Sequence, residues 1–247
     1  MELRVIRHGV VESTNALALE AVAAGTARHG DVHVAAGQTR GRGRRGRAWF
    51  SPAGRGLYLS LVWRPDPRRC ETTGLSMAAG LGVLDALGSL GARGLRLDWP
   101  NDLLAGEAKL CGILIESRGL DPAAPCFVVG IGLNVGALEP PAELAAEREV
   151  TSLAAIGVDT SVDGALRAVS AALPRRLAQL EDDPAGLVRD YLAAARLADR
   201  DVVVEGPEVH RGRLVELDLQ RGLRLERPDG RILELPLGHV RGLQPGE

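Results

Sequence analysis

Residues 41–63 read GRGRRGRAWFSPAGRGLYLSLVW, and the fold turns on whether a helix or a strand comes after the first glycines. Gly41, Gly43 and Gly46 spell G-x-G-x-x-G, the spacing of a dinucleotide fingerprint. That fingerprint needs a strand before the glycines and a helix opening after them, so that pyrophosphate rests on the helix N-terminus. DVHVAA (31–36) supplies the strand. The residues beyond carry a proline and two glycines, and then GLYLSLVW (56–63) alternates as a strand should. No helix opens at Gly46, and the dinucleotide reading fails. The G-x-x-x-x-G-K-[ST] phosphate loop is absent. A kinase glycine-rich loop would need a lysine on the next strand, and the chain's one lysine, Lys109, lies far beyond it.

Four arginines remain to be explained: Arg42, Arg44, Arg45 and Arg47. Arginines between glycines suit nucleic-acid phosphates, with Trp49 and Phe50 available for stacking. They also suit a plain solvated loop. A third reading is a lid, whose glycines free the backbone and whose guanidiniums clamp a phosphate or carboxylate. The formal charge of −2 over 247 residues opposes a protein coated in basic charge, so any basic function is local. Of the 30 basic side chains all but Lys109 are arginine, and asparagine occurs only at Asn15, Asn101 and Asn134. Against such a bias, positions that keep Lys or Asn point to a need for a compact ammonium or an amide.

Hydrophobic residues make up 45% of the chain, as in an ordinary globular protein with a sizeable core. No apolar run is long enough to span a membrane, and MELRVIRHGV lacks a signal-peptide core, so a cytoplasmic protein is expected. Cys70, Cys111 and Cys126 lack metal-ligand spacing and read as free thiols in a reducing compartment. The histidines add no zinc motif, and the pattern nominates no metal ligands.

LRVIRHGV reads as an opening strand, and Ser13 or Thr14 caps a helix ending at Gly25. Residues 75–90 form an apolar helix closed by Gly91. LRLDW and GILIES (112–117) read as strands flanking PNDLLAGEAKLC, and CFVVGIGLNV (126–135) as a buried strand. Two helices fill 162–197, with Pro174 kinking or dividing the first and Pro184 opening the second. From Asp199 onward, DVVVEG, RGRLVELDL, GLRLERPDGRILEL and GHVRGL read as short strands of a small antiparallel barrel that leans on the main domain.

Three further stretches carry chemistry. In WPNDLLAGEAKLCGIL (99–114), Pro100 extends Trp99 and Asn101-Asp102 occupy a turn. Lys109 stands before Gly112, whose missing side chain permits close approach of a ligand, so a carboxylate, an amide and a lysine converge near strand ends. GIGLNV (130–135) leaves room for a flat ring beside Asn134. STN (13–15) places hydroxyls and an amide at a helix start; alone it reads as an N-cap.

Jointly, STN, GQTRGRGRRGRAWFSP (37–52), WPND with KLCGIL, and GIGLNV resemble the biotin–protein ligases. They occur in that family's order over residues 12–135, with a weaker extension to VTSLAA (150–155) and the tail. The resemblance implies an α+β fold: a mixed-sheet catalytic domain like that of class II aminoacyl-tRNA synthetases over 1–198, and an SH3-like β-barrel over 199–247. It implies that biotin and Mg-ATP give biotinoyl-AMP and pyrophosphate, after which a lysine of a biotin carboxyl carrier domain takes the biotin and AMP leaves. By matching positions, Ser13, Thr14, Asn15, Gln38, Gly41, Arg42, Gly43, Arg44, Lys109 and Gly112 bind biotin. Arg44, Arg47, Trp49, Asn101, Asp102, Gly132 and Asn134 bind the nucleotide, and Lys109, Arg44 and Asp102 are the catalytic residues. Asp102 would orient, and deprotonate, the acceptor amine.

There are departures. Asp98 stands where many relatives carry lysine, and Cys111 where a small residue such as alanine is usual. The few residues before STN predict the short class without a DNA-binding domain, hence no DNA partner; the lack of an apolar span predicts no membrane partner, and an exposed sheet edge could pair two subunits as a homodimer, the sequence not fixing the oligomeric state. A lipoate or octanoate ligase on the related fold, and a nucleic-acid-binding module, are the alternatives.

Overall fold

The computed structural model describes residues 1–66, 72–117, 124–142, 146 and 148–246; Cys70 lies outside them. Its centre is a seven-stranded sheet: β1 (Arg4–Val11), β2 (Asp31–Gln38), β3 (Gly56–Trp63), β4 (Leu95–Asp98), β5 (Asp102–Ala105), β6 (Ala108–Ser117) and β7 (Phe127–Asn134). The spatial order is β1-β2-β3-β7-β6-β5-β4. Only β1 and β2 run parallel; every other neighbour is antiparallel, which makes the sheet mixed.

Helices cover both faces. Helix α1 (Thr14–Ala23) lies across β2, β3 and β7 on one side, over a small core of Ala18, Val62, Cys126 and Val128. On the other side, α2 (Thr72–Ser89) packs against the sheet and against α3 (Val162–Asp182), and α4 (Pro184–Ala194) closes the layer. Gly82 lets α3 approach α2, since a Cβ there would meet Leu173 Cα at 3.1 Å. Pro174 stays inside α3 without dividing it, and Pro184 takes the first turn of α4, where its missing N–H is not needed.

This two-sided cover corrects the reading of 56–63. All eight residues of β3 are buried, because the strand is central and has helices above and below it. Ser60 is therefore a polar side chain inside the molecule. DLLA, read as part of a connection, is strand β5, so Asp102 sits in the sheet opposite Asp98 and Gly112, while Asn101 alone keeps the turn. Likewise β6 begins at Ala108, which puts Lys109 within a strand and not at its entry.

The tail forms a second, antiparallel sheet in the order β11-β10-β9-β8-β12, from β8 (Asp201–Glu205), β9 (Val209–Asp218), β10 (Gly222–Glu226), β11 (Ile232–Leu235) and β12 (Gly242–Pro245). Gly230 turns the β10–β11 hairpin at φ +79°. GHVRGL is not one strand: a 3-10 turn at Leu237–His239 precedes β12. Val202, Leu214, Leu223, Leu225 and Leu243 join the same core as α2–α4, and Trp99 Nε1 donates to Val240 O at 3.3 Å. Among the described residues no helix is long and apolar enough to cross a membrane.

Candidate active site

A cleft of about 780 Å³ opens where the start of α1, the end of β2, the glycine–arginine loop and strands β5–β7 meet. Every candidate residue named from the motifs lines it. They divide into a neutral end, a loop and a charged end.

At the neutral end Ser13, Thr14 and Asn15 are buried. Ser13 holds the N-cap position of α1, yet its side chain caps nothing. The acceptor comes from β2: Gln38 Oε1 receives Thr14 N at 2.8 Å. Gln38 thus fills the orphan-donor role expected of an N-cap side chain. Its Nε2 donates to Ser51 Oγ at 2.8 Å, and Ser51 Oγ donates to Trp49 O at 3.0 Å. Ser60 Oγ reaches Asn15 Oδ1 at 2.5 Å and Thr14 Oγ1 at 2.8 Å.

The loop is a stapled hairpin. Arg42 and Ala48 form an antiparallel bridge; Trp49 N donates to Gly41 O at 2.9 Å, and Gly43 N to Arg47 O at 2.7 Å. Its tip is a 3-10 turn at Arg44–Gly46, with Arg45 and Gly46 at positive φ (57° and 76°). The expectation that the glycines serve mobility needs correcting at Gly41. A Cβ there would stand 2.4 Å from Trp49 O and 2.6 Å from Ser51 Oγ, so this glycine is required for fit. Arg44 Nη1 donates to Asn101 Oδ1 at 3.0 Å, and Arg47 faces the cleft without adding a described ion pair. Partial burial, followed by the neighbouring Arg45 charge, lowers the Arg44 pKa from its ordinary value; Asp102 opposes the shift.

At the charged end a bulge aims the lysine. Pairing of β5 with β6 slips between Leu103 and Leu104, opposite Cys111 and Lys109 respectively, so Leu110 is the extra residue. The slip brings Lys109 onto the face of Gly112, where a Cβ would meet Lys109 Nζ at 3.3 Å. Lys109 Nζ lies 2.7 Å from Asp102 Oδ1 and 5.2 Å from the Trp49 ring centroid. Yet Asp102 Oδ1, buried, accepts no well-aligned hydrogen bond, so the ammonium sits off its lone pairs. Asn101 pins the turn to β6, donating Nδ2 to Ile113 O and accepting Ile113 N at its own carbonyl, both at 2.8 Å. The Trp99–Pro100 peptide is cis.

Arg148 belongs to this end, and no motif pointed to it. It donates to Asp102 Oδ2 at 2.5 Å and to Asp98 Oδ2 at 3.3 Å. Asp98 also meets Arg96 at 3.4 Å, so its negative charge is held between two guanidiniums. Nothing local marks Arg148, one arginine among many in EREV; only the backbone pairing of Val150 and Thr151 with Lys109 brings it in.

Between the two ends, Gly112 and Gly132 face each other across β6 and β7. The space they leave is filled by the Trp49 indole: a Cβ on Gly132 would meet Trp49 Nε1 at 2.4 Å, and one on Gly112 would meet Cζ3 at 2.9 Å. The flat ring expected beside GIGLNV is thus, in this conformation, the protein's own. Asn134 ends β7 buried, its Nδ2 given to Thr151 O at 2.8 Å. Cys111 is fully buried, which pushes its thiol up to about 12. Cys111 and Cys126 are free. No cluster of three or more metal-binding side chains occurs among the described residues.

The fold and cleft define a class: an α+β domain with a mixed sheet, in which an arginine loop, a lysine and a hydrogen-bonding pocket converge on one cleft. Residues 8–134 match the biotin/lipoate A/B protein ligase family, and the chain belongs to that family. Over 230 residues it is 36% identical to the biotin–[acetyl-CoA-carboxylase] ligase of Paracoccus denitrificans, covering 89% of this chain and 93% of that one. Over 126 residues it is 44% identical to the bifunctional ligase/repressor BirA of Salmonella typhimurium; that match covers 51% of this chain and spans only 39% of the relative. Among solved structures it resembles the biotin protein ligase from Aquifex aeolicus in complex with biotin and ATP, with a TM-score of 0.79, 27% identity and coverage of 98% and 99% of the two chains.

Proposed function

We propose that the chain is an ATP-dependent biotin–protein ligase and that the cleft performs both half-reactions. The observation that carries this is the Lys109 ammonium, bulged onto Gly112 beneath the arginine loop and 2.7 Å from Asp102, in the same cleft as a neutral hydrogen-bonding pocket. Biotin lies with its ring at Ser13, Thr14, Asn15 and Gln38, closed over by Gly41, Arg42 and Gly43, and its chain passes Gly112 to Lys109. The nucleotide takes the side of Arg44, Arg47, Trp49, Asn101, Gly132 and Asn134, with Mg2+ arriving on the ATP phosphates.

In the first step a biotin carboxylate oxygen attacks the α-phosphorus, and the bond to the pyrophosphate oxygen breaks with its electrons. Lys109 and Arg44 meet the charge gathering on the phosphoryl oxygens, which is where fixed cations count most. In the second step the neutral lysine amine of a carboxylase's carrier domain attacks the acyl carbon, AMP leaves with the C–O electrons, and the proton shed by the amine passes to solvent. Both Asp102 oxygens face cations, Lys109 and Arg148. That geometry favours Asp102 as the residue that positions these cations over Asp102 as the base. Loop closure keeps water from the mixed anhydride.

The division at 198/199 and an SH3-like character for the tail fit the separate second sheet, whose neighbour Arg241 reaches the cleft. A homodimer would use the free edge of β1, where Val5 and Val10 are exposed. Buried free thiols suit a cytoplasmic protein.

Biotin-dependent exchange of labelled pyrophosphate into ATP tests the reading. Exchange with biotin supports it, exchange with lipoate alone moves the protein to the lipoate branch of the family, and exchange with neither overturns both.

A further inference from the structure

Glu116, near the end of β6, does not line the cleft but stands behind its neutral end. Its Oε2 accepts Asn15 Nδ2 at 2.7 Å, and Arg42 Nη2 of the loop lies 3.3 Å from the same oxygen. An ionised carboxylate only accepts, and Leu114 O also accepts Asn15 Nδ2, at a longer 3.4 Å, so the Asn15 amide turns its NH2 toward Glu116 and its Oδ1 inward. Gly130 makes the room: a Cβ there would stand 2.4 Å from Asn15 Oδ1.

Four oxygens then form a row: Asn15 Oδ1, Ser60 Oγ, Thr14 Oγ1 and Gln38 Oε1, at successive separations of 2.5, 2.8 and 3.2 Å. Three contacts call for three protons, and only the Ser60 and Thr14 hydroxyls bring one each. Were the Asn15 amide reversed, its NH2 would supply the third and the row would be saturated. Glu116, through the shorter of the two contacts to that NH2, is the main opposition to the reversal and leaves the row one proton short. Gln38 cannot make up the difference, because it turns its oxygen to the row, held there by Thr14 N, and its NH2 toward Ser51 Oγ. The pocket floor therefore has acceptor capacity that a ligand N–H can fill.

We propose that Glu116 is a positioning residue that sets the donor–acceptor polarity of the neutral end, keeping it acceptor-rich and so selective for a ligand whose bound end donates N–H, with Arg42 tying that setting to the loop. The inference rests on the biotin reading of the cleft, since the ureido ring of biotin carries such donors.

Calorimetric binding of biotin to the full chain tests it, with thermal melting as the check on folding. Glu116→Gln weakens the bias on the amide to the 3.4 Å contact with Leu114 O and raises the biotin Kd about tenfold, while KM for ATP stays put. Asn15→Asp, which faces two carboxylates toward each other, weakens biotin at least as much. Combined, Asn15→Asp with Glu116→Gln restores a donor-to-acceptor match in which position 15 still presents an acceptor to Ser60, and the Kd returns to within about threefold of wild type. Additive losses in the double variant, or a Glu116→Gln protein that binds biotin like wild type, overturn the proposal and leave the ligase reading intact. A wild-type protein that binds no biotin overturns both.

Discussion

The two ends of the cleft are built on opposite plans. The neutral end is made of side chains bonded to one another along short contacts: Thr14 N to Gln38, Gln38 to Ser51, Ser60 to Asn15, Asn15 to Glu116. Each member has its rotamer fixed by the next, so the pocket is preorganised and a ligand is read by shape and hydrogen-bond pattern. The charged end has Lys109 beside Asp102 without good hydrogen-bond alignment, and Arg44 on a neutral amide. Those cations line the cleft, where a phosphate can compete with their present partners. Recognition is thereby assigned to groups that stay, and chemistry to groups that change partner.

The sharpest way to break this comparison is at Lys109. Lys109→Arg keeps the charge but needs a planar fork where a compact ammonium lies over Gly112 and Trp49. Biotin-dependent pyrophosphate exchange should fall about a thousandfold, with biotin affinity changed far less. Near-wild-type exchange would show that charge alone suffices and that the bulge has no special purpose. Next in size is Asp102→Asn. If Asp102 positions two cations, both adenylate formation and transfer from pre-formed adenylate should drop, each about a hundredfold. A loss confined to transfer would restore Asp102 as the base for the incoming amine.

Legibility in the sequence divides along local and non-local lines. The loop, WPND, GIGLNV and the single lysine could be read because each is a local pattern, and all line one cleft. Strand β5 escaped because DLLA is four residues between a turn and Gly106, too short for periodicity to register. The burial of β3 escaped because GLYLSLVW looks like alternation until helices are known to cover both faces; Leu57, Leu59 and Leu61 alternate with Tyr58 and Ser60, and both sets are buried. Gln38 capping α1, and Arg148 joining Asp102 across 46 positions, are non-local contacts. No window on the chain contains both partners of either.

At the neutral end the loop glycines offer a graded test of fit against freedom. Gly41→Ala pushes a methyl into Trp49 O and Ser51 Oγ and should weaken biotin about tenfold, with a stability loss of about 1–3 kcal/mol. Gly46→Ala meets nothing but sits at φ +76°, and should cost about 1 kcal/mol with little effect on biotin. Gly43→Ala, 3.3 Å from Arg47 O in extended backbone, should be milder than Gly41→Ala. Calorimetry and melting curves on the three variants would show it. Equal losses at all three would mean that loop mobility, and not the seat of Gly41, governs binding.

The smallest expected effect is at Arg148, and it decides whether the two ends are independent. Arg148 holds Asp102 and Asp98 together, and its side chain is 34% exposed, so its pairs are partly screened. Removing it leaves Asp98 to Arg96 and Asp102 to Lys109, a tighter hold on the lysine that the nucleotide must then overcome. Arg148→Ala should therefore raise KM for ATP about fivefold, corresponding to about 1 kcal/mol, while biotin Kd is unchanged. Arg148→Lys should recover part of the loss, since a single ammonium can still reach one carboxylate but cannot bridge two as the fork does. If biotin affinity moved with ATP, the acceptor row and the cation cluster would be one cooperative network, because no contact joins Arg148 to Asn15, Thr14 or Gln38 among the described residues. Two bridges would carry the coupling: the loop, through Arg42 to Glu116 and Arg44 to Asn101, and β6, through Leu114 O to Asn15 and Ile113 to Asn101.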